Sequence, residues 1–286
     1  MDIPLNDTAA NVNRNVSRPP PPPRHAAGVT PACVLITGAS GGIGHELAVR
    51  YARPGCTLIL WGRDKSRLQA TAAACEARGA RTHLRALDLS DGEAAITAFR
   101  EDDTSTPFDT VILCAGLSDM KRQADRTERA EDVLRLALVN YATPAALTMA
   151  AAERMQARNG GAICLIGSVA AFHDLPFAAG YGGSKAGLAR FASSARIALA
   201  PLGVRVTLVA PGFVDTPMSQ RIIGPRPFLV SPARAARHIM AAIARNQGEC
   251  VFPWPFRVLR LIDRLTPRPL RDRIMARIDA DQKPTA

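Results

Sequence analysis

The sequence predicts an α/β fold of the doubly wound kind, a three-layer arrangement of about seven parallel strands with helices on both faces. Short apolar runs, several of them β-branched, recur at about 33–37, 57–61, 82–87, 109–114, 161–167, 204–209 and 249–253. Segments of helical period lie between most of them, at 44–53, 65–78, 92–100, 128–157 and 184–202. Most of the runs are near-continuously apolar instead of alternating, as strands covered on both faces are. Right-handed crossovers are implied, with a ligand expected at the carboxyl ends of the strands where strand order reverses.

Residues 1 to about 29 stand outside this pattern. They are polar and then proline-rich, with 19–23 all proline between Arg18 and Arg24. Such a run is polyproline II or disordered and joins no core. It is an inert tail or a ligand for a proline-reading partner. The domain proper is expected over 30–253 and a C-terminal extension over 254–286.

Composition suits this division. The chain has 286 residues, 47% of them apolar, enough to bury a substantial core in one large or two small domains. Its six cysteines include no C-x-x-C, so neither zinc nor a disulfide framework is indicated, and a reducing cytoplasm is the simplest location. No metal site is expected. There is no secretory apolar core near the N-terminus and no uninterrupted apolar run of membrane-spanning length. The net charge is +11, and 217–286 holds thirteen Lys/Arg against five Asp/Glu. That asymmetry implies an anionic surface or substrate, or only a solvated face.

The first strand end is rich in information. Cys33–Thr37 runs into Gly38-Ala39-Ser40-Gly41-Gly42-Ile43-Gly44, and a helix begins at His45. Glycines here permit a tight turn and let backbone N–H groups approach a pyrophosphate at the helix N-terminus. The spacing is T-G-x-x-x-G-x-G, not the commoner G-x-G-x-x-G.

The second strand, 57–61, ends in Gly62-Arg63, with Asp64 one residue later. Dinucleotide sites for NAD place an acid there for the ribose hydroxyls, whereas an arginine can pair with a 2′-phosphate. Arg63 therefore favours NADP(H), His45 could add a second cationic contact, and Asp64 keeps NAD(H) open. Arg63 as a plain surface charge is the alternative.

Further along, Tyr181-Gly182-Gly183-Ser184-Lys185 sits in an alanine-rich helical stretch, 180–200. Residues four apart share a helix face, so phenol and ammonium point the same way. A cation near a phenol lowers its pKa from about 10 and makes it a usable proton donor and acceptor. With three tyrosines and four lysines in the chain, a chance pair at this spacing is uncommon. Alone, Ser168 reads as a strand-end turn residue and Asn140 as a polar residue on a helix surface.

Together, 37–44, Asn140, Ser168 and 181–185 resemble the short-chain dehydrogenase/reductase family in its compact single-domain branch, over about 32–218 and without large insertions. The thirteen residues from Ser168 to Tyr181, and the twenty-eight from Asn140 to Ser168, are similar to the family's spacings. The resemblance implies a Rossmann-like fold and hydride transfer between a nicotinamide and a carbonyl or secondary alcohol. In it Thr37, Gly38, Ser40, Gly42, Ile43 and Gly44 would hold the pyrophosphate, with Asp88 and Leu89 at the adenine. Ala115 and Gly116 would allow backbone approach, and Pro211, Gly212, Val214 and Thr216 would lie along the nicotinamide. Ser168 would hydrogen-bond the substrate oxygen, and Tyr181 would give it a proton. Lys185 would lower the tyrosine pKa and hold the ribose, and Asn140 would hold a water. One departure stands out: Leu113-Cys114-Ala115-Gly116 lacks an asparagine that in the family ties neighbouring strands.

Family analogy also implies a homo-oligomer, a dimer or tetramer paired through 128–157 and 184–202. A lid is expected over 213–232, where Ile222, Ile223, Phe228 and Leu229 would wall a hydrophobic or carrier-linked ketone or pack on the body. A sugar of a polysaccharide precursor is a second substrate class, and a non-catalytic NADP-binding sensor or scaffold is the rival from another class. In the extension, Arg257, Arg260 and Arg264 fall on one helical face and Val258, Leu261, Ile262 and Leu265 on the other. Beyond Pro267 and Pro269, Leu270, Ile274 and Ile278 align among Arg271, Arg273 and Arg277. Such a segment lies on a membrane at its cytoplasmic face, or docks on its own or a partner subunit. Nucleic acid is not expected, because the cations alternate with apolar residues and no stacking platform is evident.

Overall fold

A computed structural model describes residues 31–118, 125–277 and 281–282. The proline-rich segment 1–29 and Ile278 of the apolar stripe lie outside the described residues. The strands are β1 Cys33–Thr37, β2 Thr57–Gly62, β3 Arg81–Ala86, β4 Thr110–Leu113, β5 Gly161–Ile166, β6 Val204–Pro211, β7 Ile222–Ile223, β8 Glu249–Phe252 and β9 Asp281–Gln282. The helices are α1 Gly42–Tyr51, α2 Lys65–Glu76, α3 Gly92–Ser105, α4 Ala130–Ala137, α5 Thr143–Gln156, α6 Ala179–Leu199, α7 Pro217–Gln220, α8 Pro232–Ala244, α9 Pro255–Leu265 and α10 Arg268–Met275.

Seven strands form one parallel sheet in the order β3-β2-β1-β4-β5-β6-β8. This is the expected Rossmann-like sheet. The order reverses between β1 and β4, which opens a crevice above their carboxyl ends. Successive residues of β1 show why its run is apolar throughout: Val34 and Ile36 join the core under α1, α2 and α8, while Cys33 and Leu35 join the core under α3, α5 and α6. The edge strand β3 is largely exposed, and four of its six residues, Arg81, Thr82, His83 and Arg85, are polar.

The expected helix 128–157 is present over Ala130–Gln156, with a change of winding in its middle. Its α-helical turns give way to a π-helical segment at Leu138–Ala142 before resuming as α5. Ala130–Gln156 is also long and apolar enough, by length and composition, to cross a membrane. It is interrupted by Glu131, Asp132, Arg135, Asn140, Glu153 and Arg154, so it is not an uninterrupted apolar run. Here α5 packs on α3 and β5, and α4 on α6, so much of its apolar surface belongs to the core. Ser231 caps α8 as expected, accepting the Arg234 N–H at 3.3 Å with Pro232 in the first turn.

Candidate active site

The glycine turn after β1 is tight for steric reasons that single out particular positions. Gly38 has φ +70°, and a Cβ there would stand 2.9 Å from the Ala115 Cα. At Gly44 a Cβ would lie 2.2 Å from the Gly38 carbonyl oxygen, so α1 can approach the strand this closely only with glycine. No side chain caps α1, and its first turn holds no acid. The uncapped amides at that end carry the positive end of the helix dipole and favour a phosphate. Thr37, buried at the end of β1, accepts the N–H groups of Cys114 at 3.0 Å and Ala115 at 3.1 Å. This hydroxyl ties β1 to the segment after β4, where the Cys114 departure had left a strand link in doubt.

Beyond β2 the polar groups are arranged differently from the expectation. Asp64 is the N-cap of α2, accepting the Arg67 N–H at 3.0 Å and pairing with the Arg67 guanidinium at 2.9 Å. Those contacts, led by the Arg67 amide, hold its carboxyl below the usual range. His45 is not among the residues lining the crevice, and its ring Nδ1 lies 2.9 Å from the Thr71 hydroxyl on α2. Arg67 lines the crevice beside Arg63 instead. Asp88 stands 3.9 Å from Arg63 and accepts both the amide and the hydroxyl of Ser90, each at 2.9 Å.

The chemistry-bearing residues converge at the other end of the crevice. Ser168 directly succeeds Gly167 at the end of β5 and accepts the Ala170 N–H at 3.1 Å. Tyr181 and Lys185 stand one turn apart on α6. Lys185, only 5% exposed, donates to the Ile166 carbonyl at 3.0 Å, and burial lowers its pKa to about 8. Burial pushes the Tyr181 phenol above its usual 10, while a hydrogen bond with Ser168 pulls it down. The expected lowering of the phenol by Lys185 is therefore not what the geometry gives. The ammonium is engaged by a strand-end carbonyl, and the downward pull comes from the serine.

Asn140 lies beneath this group, fully buried within the π-helical segment. Its Oδ1 accepts the Leu117 N–H at 2.8 Å, and its Nδ2 donates to the Leu117 carbonyl at 3.0 Å and to Ser184 at 3.1 Å. A Cβ on Gly116 would meet Asn140 Oδ1 at 3.1 Å and Lys185 Nζ at 3.4 Å, so the Asn140 amide and the Lys185 ammonium close around that glycine.

Both ends belong to one cavity of about 1380 Å³. The residues expected at the site line it except His45 and Asn140, the latter bound to Leu117 and Ser184 behind it. The volume exceeds the roughly 300–1,000 Å³ of single-ligand pockets, leaving room for a dinucleotide together with a substrate. The glycine cradle, the uncapped helix end and the two guanidiniums at the far end fit such a dinucleotide.

The lid and the extension differ from expectation in which face they turn inward. Of the four apolar lid residues, only Ile222 lines the cavity, whereas Ile223, Phe228 and Leu229 are exposed. The apolar face of α9 is divided: Leu259 and Ile262 border the cavity, and Val258, Leu261 and Leu265 face outward. The residue that seats α9 is Phe256, which sequence reasoning passed over. A Cβ on Gly212 would be 2.3 Å from its ring, and Phe228 meets it edge-on at 5.7 Å.

Comparison with known proteins agrees with this geometry. Residues 32–225 match the family model of the short chain dehydrogenases. An uncharacterized oxidoreductase of Myxococcus xanthus is 32% identical over 247 residues, spanning 85% of this chain and 96% of its own. Among solved structures, a short-chain dehydrogenase from Sphingobium yanoikuyae in complex with NADPH is 28% identical with a TM-score of 0.70, covering 86% of this chain and 96% of that one. A bulky-bulky ketone specific alcohol dehydrogenase from Comamonas testosteroni is 26% identical with a TM-score of 0.69, covering 86% and 94%. With its fold, its site geometry and these relatives in agreement, the chain belongs to the short-chain dehydrogenase family and is an oxidoreductase acting on CH–OH and C=O groups.

Proposed function

We propose that this protein is an NADP(H)-dependent carbonyl reductase that reduces a hydrophobic ketone to a secondary alcohol. The observation that carries this reading is the meeting of Ser168, Tyr181 and Lys185 in the cavity that also holds the glycine turn. When bound, the nicotinamide supplies or accepts the hydride. The chain's own residues handle the oxygen and its proton. Ser168 hydrogen-bonds the substrate oxygen, and Tyr181 donates the proton to it. A phenol held above its usual pKa is protonated near neutral pH, which suits donation to a carbonyl. Lys185, beside Gly116, is placed to hold the ribose, and Asn140 fixes the backbone at Leu117 and the Ser184 hydroxyl around it.

NADP(H) is preferred over NAD(H) because Arg63 and Arg67 both border the adenosine end, while the nearby Asp64 is occupied in capping α2. The ketone is hydrophobic because the substrate end is walled by Leu175, Phe177, Ile222, Phe256, Leu259 and Ile262. The Comamonas relative, named for bulky ketones, supports that class. Tyr181→Phe is the test: turnover of an aryl ketone with NADPH falls at least a thousandfold while NADPH binding changes little. Cofactor binding without turnover by the unaltered protein would instead support the non-catalytic sensor.

Two partner readings accompany this. The protein pairs with a second copy through α4–α5 and α6, where Leu134, Tyr141, Met149 and Ile197 are exposed, and sedimentation equilibrium checks the dimer or tetramer. Peripheral membrane contact through 254–278 rests on the outward Trp254, Val258, Leu261 and Leu265 beside Arg257 and Arg264. Co-sedimentation with phosphatidylglycerol but not phosphatidylcholine vesicles is expected, and binding to neither removes that reading.

A further inference from the structure

Three consecutive residues after the serine are each gripped from the C-terminal extension. The Arg260 guanidinium lies 3.7 Å from the centroid of the Phe172 ring, and it also pairs with Glu249 on β8. Asp263 stands 3.8 Å from His173, and Arg271 on α10 pairs with Asp174 at 2.8 Å. These contacts join α9 and α10 to a segment that starts four residues beyond Ser168. The turn Val169–Phe172 that leads into it packs on α6, the helix of Tyr181 and Lys185. Between the grips, Leu259, Ile262, Ile274 and Met275 line the cavity. Every one of the four comes from the extension, which lies past the matched region 32–225.

The geometry points to Arg271 and Asp174 as specificity-determining positioning residues, whose pairing holds the C-terminal helices as an apolar roof over the substrate. Arg271 borders the cavity and Asp174 does not, and both act by setting where the roof sits relative to Ser168. With the roof latched, the cavity favours ketones carrying a bulky apolar substituent that can fill the space under Leu259 and Ile262. Small ketones leave that space to water and gain little from it. Asp174 is mostly exposed, so the grip is an openable one, weak enough for substrate to enter. This inference rests on the reductase reading, but one of its measurements does not depend on turnover.

The test uses the full-length protein and two readouts. Hydrogen exchange of the amides in 169–175 and 255–275 is measured without substrate. The ratio of kcat/KM for a bulky aryl ketone to that for 2-butanone is measured with NADPH. In Arg271→Ala, exchange in both segments is expected to accelerate at least fivefold and the ratio to fall at least fivefold, chiefly through the KM of the bulky ketone. The exchanged pair Arg271→Asp with Asp174→Arg should restore both. Unchanged exchange, or a ratio that does not move, overturns the inference. If Arg271→Ala does not fold, Asp174→Asn, which removes the charge pair from a mostly exposed position, is read by the same measurements, and wild-type values for both would equally overturn it. Absence of ketone turnover in the unaltered protein would defeat the reductase reading instead, leaving the exchange result to judge the latch.

Discussion

Replacing Lys185 with methionine should make this protein more stable as it makes it inactive. The ammonium is 5% exposed, and burial displaces its pKa from the ordinary 10.5 to about 8. A displacement of that size corresponds to about 3 kcal/mol of destabilisation while the amine is charged. Methionine has a similar unbranched shape and removes the charge, but it also removes the hydrogen bond to the Ile166 carbonyl, worth about 1 kcal/mol. The net expectation is a gain of about 2 kcal/mol at pH 7. The direction of the displacement fixes the sign with pH. A lysine depressed in the folded state withholds stability below about pH 8, and that stability returns as pH rises toward 10.5. The advantage of the variant should therefore shrink to about 1 kcal/mol at pH 9. Urea unfolding of cofactor-free Lys185→Met and unaltered protein, at both pH values, measures this. A variant less stable than the parent at pH 7, or an advantage that does not narrow, would refute the reasoning.

Other perturbations test separate parts of the structure. Arg63→Ala and Arg67→Ala should each weaken NADPH binding about tenfold, about 1.4 kcal/mol, with little effect on NADH. Fluorescence titration reads both, and equal losses would defeat the cofactor preference. Gly44→Ala drives a methyl into the Gly38 carbonyl and should cost about 3 kcal/mol together with most NADPH affinity. By contrast, Gly41→Ala meets nothing within 4 Å and should cost under about 1 kcal/mol, the loss of a glycine N-cap. Arg158→Ala removes the two-point partner of buried Asp103, held at 2.7 and 2.8 Å, and should cost about 3 kcal/mol in the same assay. Arg158→Lys should recover only part of it.

Much of the fold and site is legible in the residues, for reasons that differ by element. The central strands announce themselves because burial on two faces leaves no polar positions in 33–37 or 161–166 beyond a terminal threonine. The glycine turn is legible because backbone crowding at Gly38 and Gly44 restricts those positions to one residue type. Asp64 is ambiguous because a carboxylate that caps a helix and one that binds a ribose look alike in sequence. Its place immediately before the helical stretch 65–78 is the available sign of a cap, and the arginine three residues on is the second cation. In α9, periodicity shows that a stripe exists but not which side docks, since that depends on a small surface at Gly212 receiving Phe256. The Tyr181 environment escapes the sequence because helical spacing fixes a shared face and says nothing of which acceptor the ammonium finds first.

The π-helical segment at Leu138–Ala142 has a consequence for the whole middle of the chain. A wide turn of this kind holds one residue more than the α-helical register on either side can absorb. That surplus residue swings α5 by about 100° around the axis relative to α4, since an α-helix advances 3.6 residues per turn. Removing one of its other residues, Leu138, Val139, Tyr141 or Ala142, would return this segment to plain α-helical register. The amide of Asn140 would then leave Leu117 and Ser184, although every residue type known to do chemistry would still be present.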